Sequence, residues 1–243
     1  MDSADESGCS FKESDDSIAL INNDKTVWQF NYGEDLSKPH FHPVSLVDGT
    51  VLTWEAPADH PWHHGLWFSW KTINGVNYWE EDRKTGKSAG ITAWDNVSVK
   101  TDPDGSAKIT VDVSYHEPQK PTLLAEKRTI SLSAPDDSGT YTIDWESTFT
   151  AVADKVILNR TPLPWEKGGK PWGGYAGLSF RANNNAKDVQ FLGTFGATSP
   201  VRKGRYRFKD IACEYSGEID NTAFGVAILD HPDNLNFPTP WYV

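Results

Sequence analysis

The sequence predicts an all-β fold, an antiparallel β-sandwich with few or no long helices, on three observations. Apolar and polar residues alternate at period two in many short runs, turn signals separate those runs, and no segment carries a long, capped amphipathic helical pattern. The runs, in chain order, are "VWQFNY", "NVSVKT", "AKITVDVSYHE", "RTISLS", "TYTIDWESTFTAV" and "AFGVAIL". Between them lie "NND", "VDGT", "DPDGS" and "APDDSG", whose Gly, Asn, Asp and Pro residues favour turns. A strand with one wet and one dry face must bury the dry one, so a second sheet is expected to cover the first.

The 243 residues suffice for one sizeable core, and a single domain is expected over residues 17–243. Residues 1–16, "MDSADESGCSFKESDD", are acidic, Ser-rich and without an apolar stretch, so they read as a disordered tail and not as a signal peptide. The segment "NRTPLPWEKGGKPWGGYAG" reads as a long surface loop. The chain ends on the apolar triplet Trp241-Tyr242-Val243, expected either to tuck into the core or to mark a cut before further strands.

Charge and composition narrow the function. Lys and Arg total 23 against 34 Asp and Glu, a net charge of -11, and nucleic-acid binders ordinarily need a basic face, so no nucleic-acid partner is expected. No run approaches the roughly 20 apolar residues of a spanning helix, so no membrane insertion is expected. Two cysteines, Cys9 and Cys213, give neither a disulfide framework nor a CxxC motif.

Six of the seven histidines fall in three motifs: His40 and His42; His60, His63 and His64; and His231. In "HFH" the two imidazoles lie two apart on a strand and share a face. In "DHPWHH", Pro61 fixes its own φ and keeps His60 out of the helical region, which predicts an irregular turn presenting side chains. Asp59 then either orients an imidazole or caps turn amides. The dipeptide Asp-His followed by Pro recurs at Asp230-His231, which suggests a shared site. Such groups fit acid–base work. They also fit a divalent metal held by His40 or His42 with His60, His63 or His231, although the spacing singles out no ligand set and no cofactor is assigned.

Eleven tryptophans are the second signal. Trp67 and Trp145 lie in strand-like runs and read as core, whereas Trp62, Trp79, Trp165 and Trp172 lie in or beside candidate loops. Flat aromatic faces stack on the C–H surfaces of sugar rings while polar side chains take the hydroxyls, so the expected partner is a carbohydrate. Glu146 in "DWES" is the carboxylate candidate on a strand.

The strings "KPHFHPV", "DHPWHHGLWFSWKTINGVNYW", "EKRTISL", "DWES", "GGYAGLSFRA" and "LDHPDNLNFPTPWYV" resemble the bacterial PmoA-like family, labelled methane oxygenase PmoA. The family commonly has His-Arg where this chain has His63-His64, and its members usually continue past "PTPWYV". A membrane oxygenase subunit needs spanning helices, so that activity is rejected. The resemblance implies instead a supersandwich like that of galactose mutarotase, in bacteria that degrade polysaccharides, and so a periplasmic or secreted protein. Carried over by motif, it marks His42, Asp59, His60, His63, Arg128, Glu146, Tyr175, Arg181, Asp230 and His231.

The expected function is therefore a carbohydrate-active enzyme, a glycoside hydrolase or related glycan-processing enzyme. The catalytic candidates are Asp59, His60, His63, Glu146, Asp230 and His231; the substrate-binding candidates are His42, Trp62, His64, Trp79, Arg128, Trp172, Tyr175 and Arg181. The alternatives are a His-ligated metal enzyme acting on sugars and a non-catalytic carbohydrate-binding module. The sequence leaves the sugar, the linkage and the oligomeric state open.

Overall fold

The computed structural model describes residues 8–194, 196–198 and 207–243, and over them the chain is an all-β antiparallel sandwich. It divides into two compact units where the sequence led us to expect one domain. The first comprises Met1–Asn159 with Ala176–Ala182, and the second Arg160–Tyr175 with Asn183–Val243.

In the first unit the strands are β1 (Cys9–Glu13), β2 (Ser17–Asn22), β3 (Lys25–Asn31), β4 (His40–Val44), β5 (Leu66–Ser69), β6 (Thr72–Ile73), β7 (Val76–Asn77), β8 (Ile91–Thr101), β9 (Ala107–His116), β10 (Leu124–Leu132), β11 (Ile143–Ala151), β12 (Leu158–Asn159) and β13 (Gly177–Phe180). One sheet runs β1-β2-β3-β4-β5-β13 and a second runs β11-β10-β9-β8. Period-two alternation builds both. In β9, Ala107, Ile109, Val111, Val113 and Tyr115 are buried while Lys108 and Asp112 face water. Trp28, Phe30 and Phe41 of the first sheet join Ile109, Val113 and Ile130 of the second in one buried cluster. That shared core is the dry interior of the sandwich.

One expectation needs correction. The acidic segment read as a tail through residue 16 is strand β1 from Cys9, paired with β2 from Cys9↔Asn22 to Glu13↔Ile18. Phe11 explains the difference: its ring meets Trp28 at 6.0 Å, an apolar anchor that the surrounding acidic residues mask in the composition. Residues 1–7 of the expected tail lie outside the described residues.

The second unit holds β14 (Lys187–Gly193), β15 (Gly196–Thr198), β16 (Arg207–Lys209), β17 (Ala212–Ile219), β18 (Thr222–Leu229) and β19 (Pro240–Tyr242). Its sheet runs β15-β14-β17-β18, and β16 pairs with β19. The apolar ending is thus a paired strand, with Trp241 opposite Phe208 and its indole N–H donating to the Asp210 carbonyl at 2.8 Å.

Candidate functional site

The site grows from β4 and β5. His40 stands opposite Trp67 and Phe41 opposite Leu66, so Phe41 and Leu66 enter the core while His40 and Trp67 share the other face. Gly65 ends the turn that feeds β5. Its φ is +70°, and an added Cβ would lie 2.3 Å from the Phe41 carbonyl oxygen, so the backbone demands glycine there.

The turn itself is irregular, as Pro61 predicts. The His60 N–H donates to the Pro57 carbonyl at 2.8 Å, and the His63 N–H to the His60 carbonyl at 3.0 Å. Glu55 and His64 bridge its base as antiparallel partners. Arg83 clamps it from outside, donating to the carbonyls of Ala58 at 2.7 Å and Asp59 at 2.9 Å.

Two polar groups of opposite character result. The outer one is open to water: Asp59 Oδ2 lies 2.8 Å from His60 Nδ1, and the two side chains are 64% and 45% exposed. The His60 ring nitrogen beside it holds the Asp59 carboxyl below its ordinary value. His60 stacks on His63 at 4.9 Å and meets Trp62 edge-on at 5.5 Å. His63 in turn lies 5.0 Å from Trp67, which packs on Trp79 at 5.5 Å. Burial, reinforced by the Arg181 charge, pushes His63 down to about 3, so its imidazole is neutral.

The inner group is shielded. His40 Nε2 lies 3.2 Å from Glu55 Oε2, and His64 Nδ1 lies 2.7 Å from Glu55 Oε1. The other His64 nitrogen, Nε2, meets Glu81 Oε1 at 2.8 Å, and Lys38 Nζ reaches the same oxygen at 2.6 Å. The Ser37 hydroxyl also donates to Glu81. Burial alone would raise both carboxyls, but the imidazoles and, at Glu81, Lys38 overcome it: Glu55 lies far below the carboxylate range and Glu81 falls to about 2. Burial likewise pulls His64 down, yet its two carboxylate partners leave it raised.

A family model described as a family of unknown function (DUF6807) matches residues 17–243. The chain belongs to the DUF6807 family. No curated protein and no solved structure matches it.

In this DUF6807 chain the first unit brings together Asp59, His60, Trp62 and His63 of the expected residues, with Arg181 close enough to act on the charges of Asp59 and His63, whereas Trp79, read as substrate-binding, is buried against Trp67. The Arg181 guanidinium covers Trp54 at 5.1 Å, and its buried Nε has no hydrogen-bond partner among the described residues. His42 is half-buried, its Nδ1 3.0 Å from the Thr53 hydroxyl, and burial lowers its pKa.

Other expected residues sit elsewhere. His64, read as substrate-binding, turns inward to Glu55 and Glu81. Arg128, read as a ligand-binding cation, is wholly buried: Nε and Nη2 donate to Glu126 at 2.7 and 3.0 Å, and Trp145 lies 4.7 Å beneath the guanidinium. It occupies an ion pair inside the sandwich and offers nothing to a solvent-borne ligand. Glu146 lies on the exposed face of β11, opposite to Trp145, and takes no part in either polar group.

The remaining expected residues belong to the second unit. Asp230 accepts hydrogen bonds from Asn234 Nδ2 at 2.7 Å and the Thr239 N–H at 2.6 Å, a turn-capping role. His231 is 70% exposed and accepts the Asp233 N–H at 3.2 Å. Tyr175 packs on Tyr242 at 5.8 Å. Trp165 and Trp172 are exposed on a loop tied by the two-pronged Arg160–Glu166 pair, at 2.7 and 2.9 Å.

Sequence reasoning missed Glu55 and Lys38. Glu55 stands nine residues before His64 at the mouth of the turn, and pairing the two ends of that turn would have pointed to it.

Proposed function

We propose that the protein is a carbohydrate-active enzyme, a glycoside hydrolase or related glycan-processing enzyme of the PmoA-like kind, in which His60 moves a proton at the reacting sugar. The observation that carries this reading is the Asp59–His60 pair, half-open to water beside the partly exposed Trp62 and stacked on His63, which is backed by the buried Trp67 and Trp79.

The chemistry follows from the contacts. Asp59 lies 2.8 Å from Nδ1, within ion-pair range although out of line for a hydrogen bond, and with the neutral ring's hydrogen on Nδ1 the Nε2 atom accepts a proton. Asp59 then stabilises the imidazolium that forms, and His60 can return the proton to a leaving oxygen. Trp62, partly exposed with Arg83 over one face of its ring at 5.7 Å, offers apolar surface to a sugar, and the Arg181 side chain supplies a donor for a hydroxyl or carboxylate substituent. Acid–base work of this kind contributes roughly 10²- to 10⁴-fold in rate. A polysaccharide substrate fits a periplasmic or secreted protein.

A second reading, a sugar-binding module, draws on Trp165, 72% exposed, and Trp172, 45% exposed. Incubation with a broad polysaccharide panel, read both for binding and for new reducing ends or altered sugars, separates the two. Product formation supports the enzyme; binding across the panel with no product supports the module and overturns the enzymatic reading.

A further inference from the structure

We propose that His40 Nε2, the Glu55 carboxylate and His64 Nδ1 form a site for a divalent transition-metal ion of the zinc class, behind the surface that carries His60. The nearest atoms of these three side chains all lie within 4.8 Å of one another, and their residues are buried, intermediate and buried in turn. First-row divalent ions take imidazole nitrogen and carboxylate oxygen at about 2.0–2.2 Å, so neighbouring donors on one tetrahedral ion stand roughly 3.3–3.6 Å apart. The pairs here, at 3.2 and 2.7 Å, need to open by less than about 1 Å to admit one.

The placement of protons points the same way. His40 Nδ1 faces the Lys38 carbonyl at 3.0 Å, and a carbonyl only accepts, so Nδ1 carries the hydrogen. Nε2 of a neutral His40 then aims a lone pair at Glu55. His64 Nε2 faces Glu81, whose Oε1 also gathers Lys38 and Ser37. With the hydrogen on Nε2, Nδ1 of a neutral His64 aims a second lone pair at Glu55. His40 Nε2 faces Glu55 Oε2 and His64 Nδ1 faces Glu55 Oε1, so two imidazole nitrogens and a carboxylate gather ligand-type atoms in one small region. The far nitrogens, held by a carbonyl and a carboxylate, are oriented as metal-binding histidines are.

Two further features fit. Glu55 Oε2 is shielded from water yet accepts no hydrogen bond of good geometry among the described residues, which a cation would remedy. With neutral rings, Lys38 balances only one of Glu55 and Glu81, so a divalent ion brings the group to the same charge as two added protons. Of the three side chains Glu55 is the most accessible, 31% exposed against 4% for His40 and 11% for His64, which gives an ion a route to the group.

The test is zinc binding by the full chain after dialysis against a chelator, read by calorimetry, with cobalt(II) absorption reporting the ligand geometry. One equivalent should bind, raise the thermal midpoint and give a nitrogen/oxygen-ligated cobalt spectrum. Glu55→Gln and His64→Gln should each weaken binding by at least about tenfold, and Glu81→Gln, which frees only the far side of His64, by about 10- to 100-fold. His116→Ala and His231→Ala should leave it unchanged. No stoichiometric binding by the wild-type chain up to about 100 µM zinc, a binding energy of only about 5.5 kcal/mol, would overturn the proposal whatever the variants do. So would affinity that persists in folded Glu55→Gln and His64→Gln but disappears in His231→Ala.

Discussion

At the scale of single residues, burial separates the groups that hold the protein together from those available to a ligand. Arg128 and Glu126 are a buried pair supplemented by Tyr115 and Ser147, both of which donate to Glu126. Removing one charge leaves the other stranded, at a cost of about 3–5 kcal/mol, so Glu126→Gln is expected to be destabilised by about that amount near neutral pH, read as a shift in the urea midpoint. The pH dependence has a definite sign. Burial would raise Glu126, but Arg128 holds it below its unfolded-state value. Its contribution is therefore complete above about pH 4.3 and is lost as pH falls through the lower folded-state value. Wild type and Glu126→Gln should converge in acid; a gap that stays constant or widens below about pH 4 would show that Glu126 is not held ionised. Gly65 tests backbone geometry in the same way. Gly65→Ala meets the Phe41 carbonyl at 2.3 Å in a left-handed conformation, and should cost more than about 1–3 kcal/mol, whereas Gly75→Ala, with open space around it, should cost only the strain of its φ.

At the scale of elements, β4 is where fold and candidate site meet. Phe41 is fully buried against Trp28 at 6.1 Å and Phe30 at 4.8 Å, while its neighbours His40 and His42 take the opposite side of the strand. Phe41→Ala should cost about 3–5 kcal/mol through the cavity it leaves, and denaturant titration checks this. Alternation made this element legible: "HFH" announces two imidazoles on one face, and "DHP" announces the irregular turn. Strand β1 was not legible, because one phenylalanine and one cysteine among acidic residues carry too little apolar pattern to outweigh composition. The inward turn of His64 was equally hidden. Adjacent histidines in a turn point in different directions, and only the Glu55–His64 bridge decides which one enters the protein.

At the scale of the whole molecule, the all-β sandwich was readable because β9, β10 and β11 of the first unit's second sheet alternate at period two. The division into two units was not, since "NRTPLPWEKGGKPWGGYAG" reads as a loop within one domain and its Arg160–Tyr175 part belongs to the second unit. Sequence also grouped Asp230 and His231 with the first "DHP" from likeness of motif. Both belong to the second unit, where Asp230 caps a turn and the His231 side chain is exposed. The functional account therefore rests on the first unit, where Asp59 and His60 meet beside Trp62 and His63. The direct test compares wild type with His60→Gln on the glycan that the polysaccharide panel identifies, measuring kcat/KM together with binding. The account predicts a fall of roughly 10²- to 10⁴-fold in turnover with binding and folded stability retained; turnover undiminished in His60→Gln would contradict it.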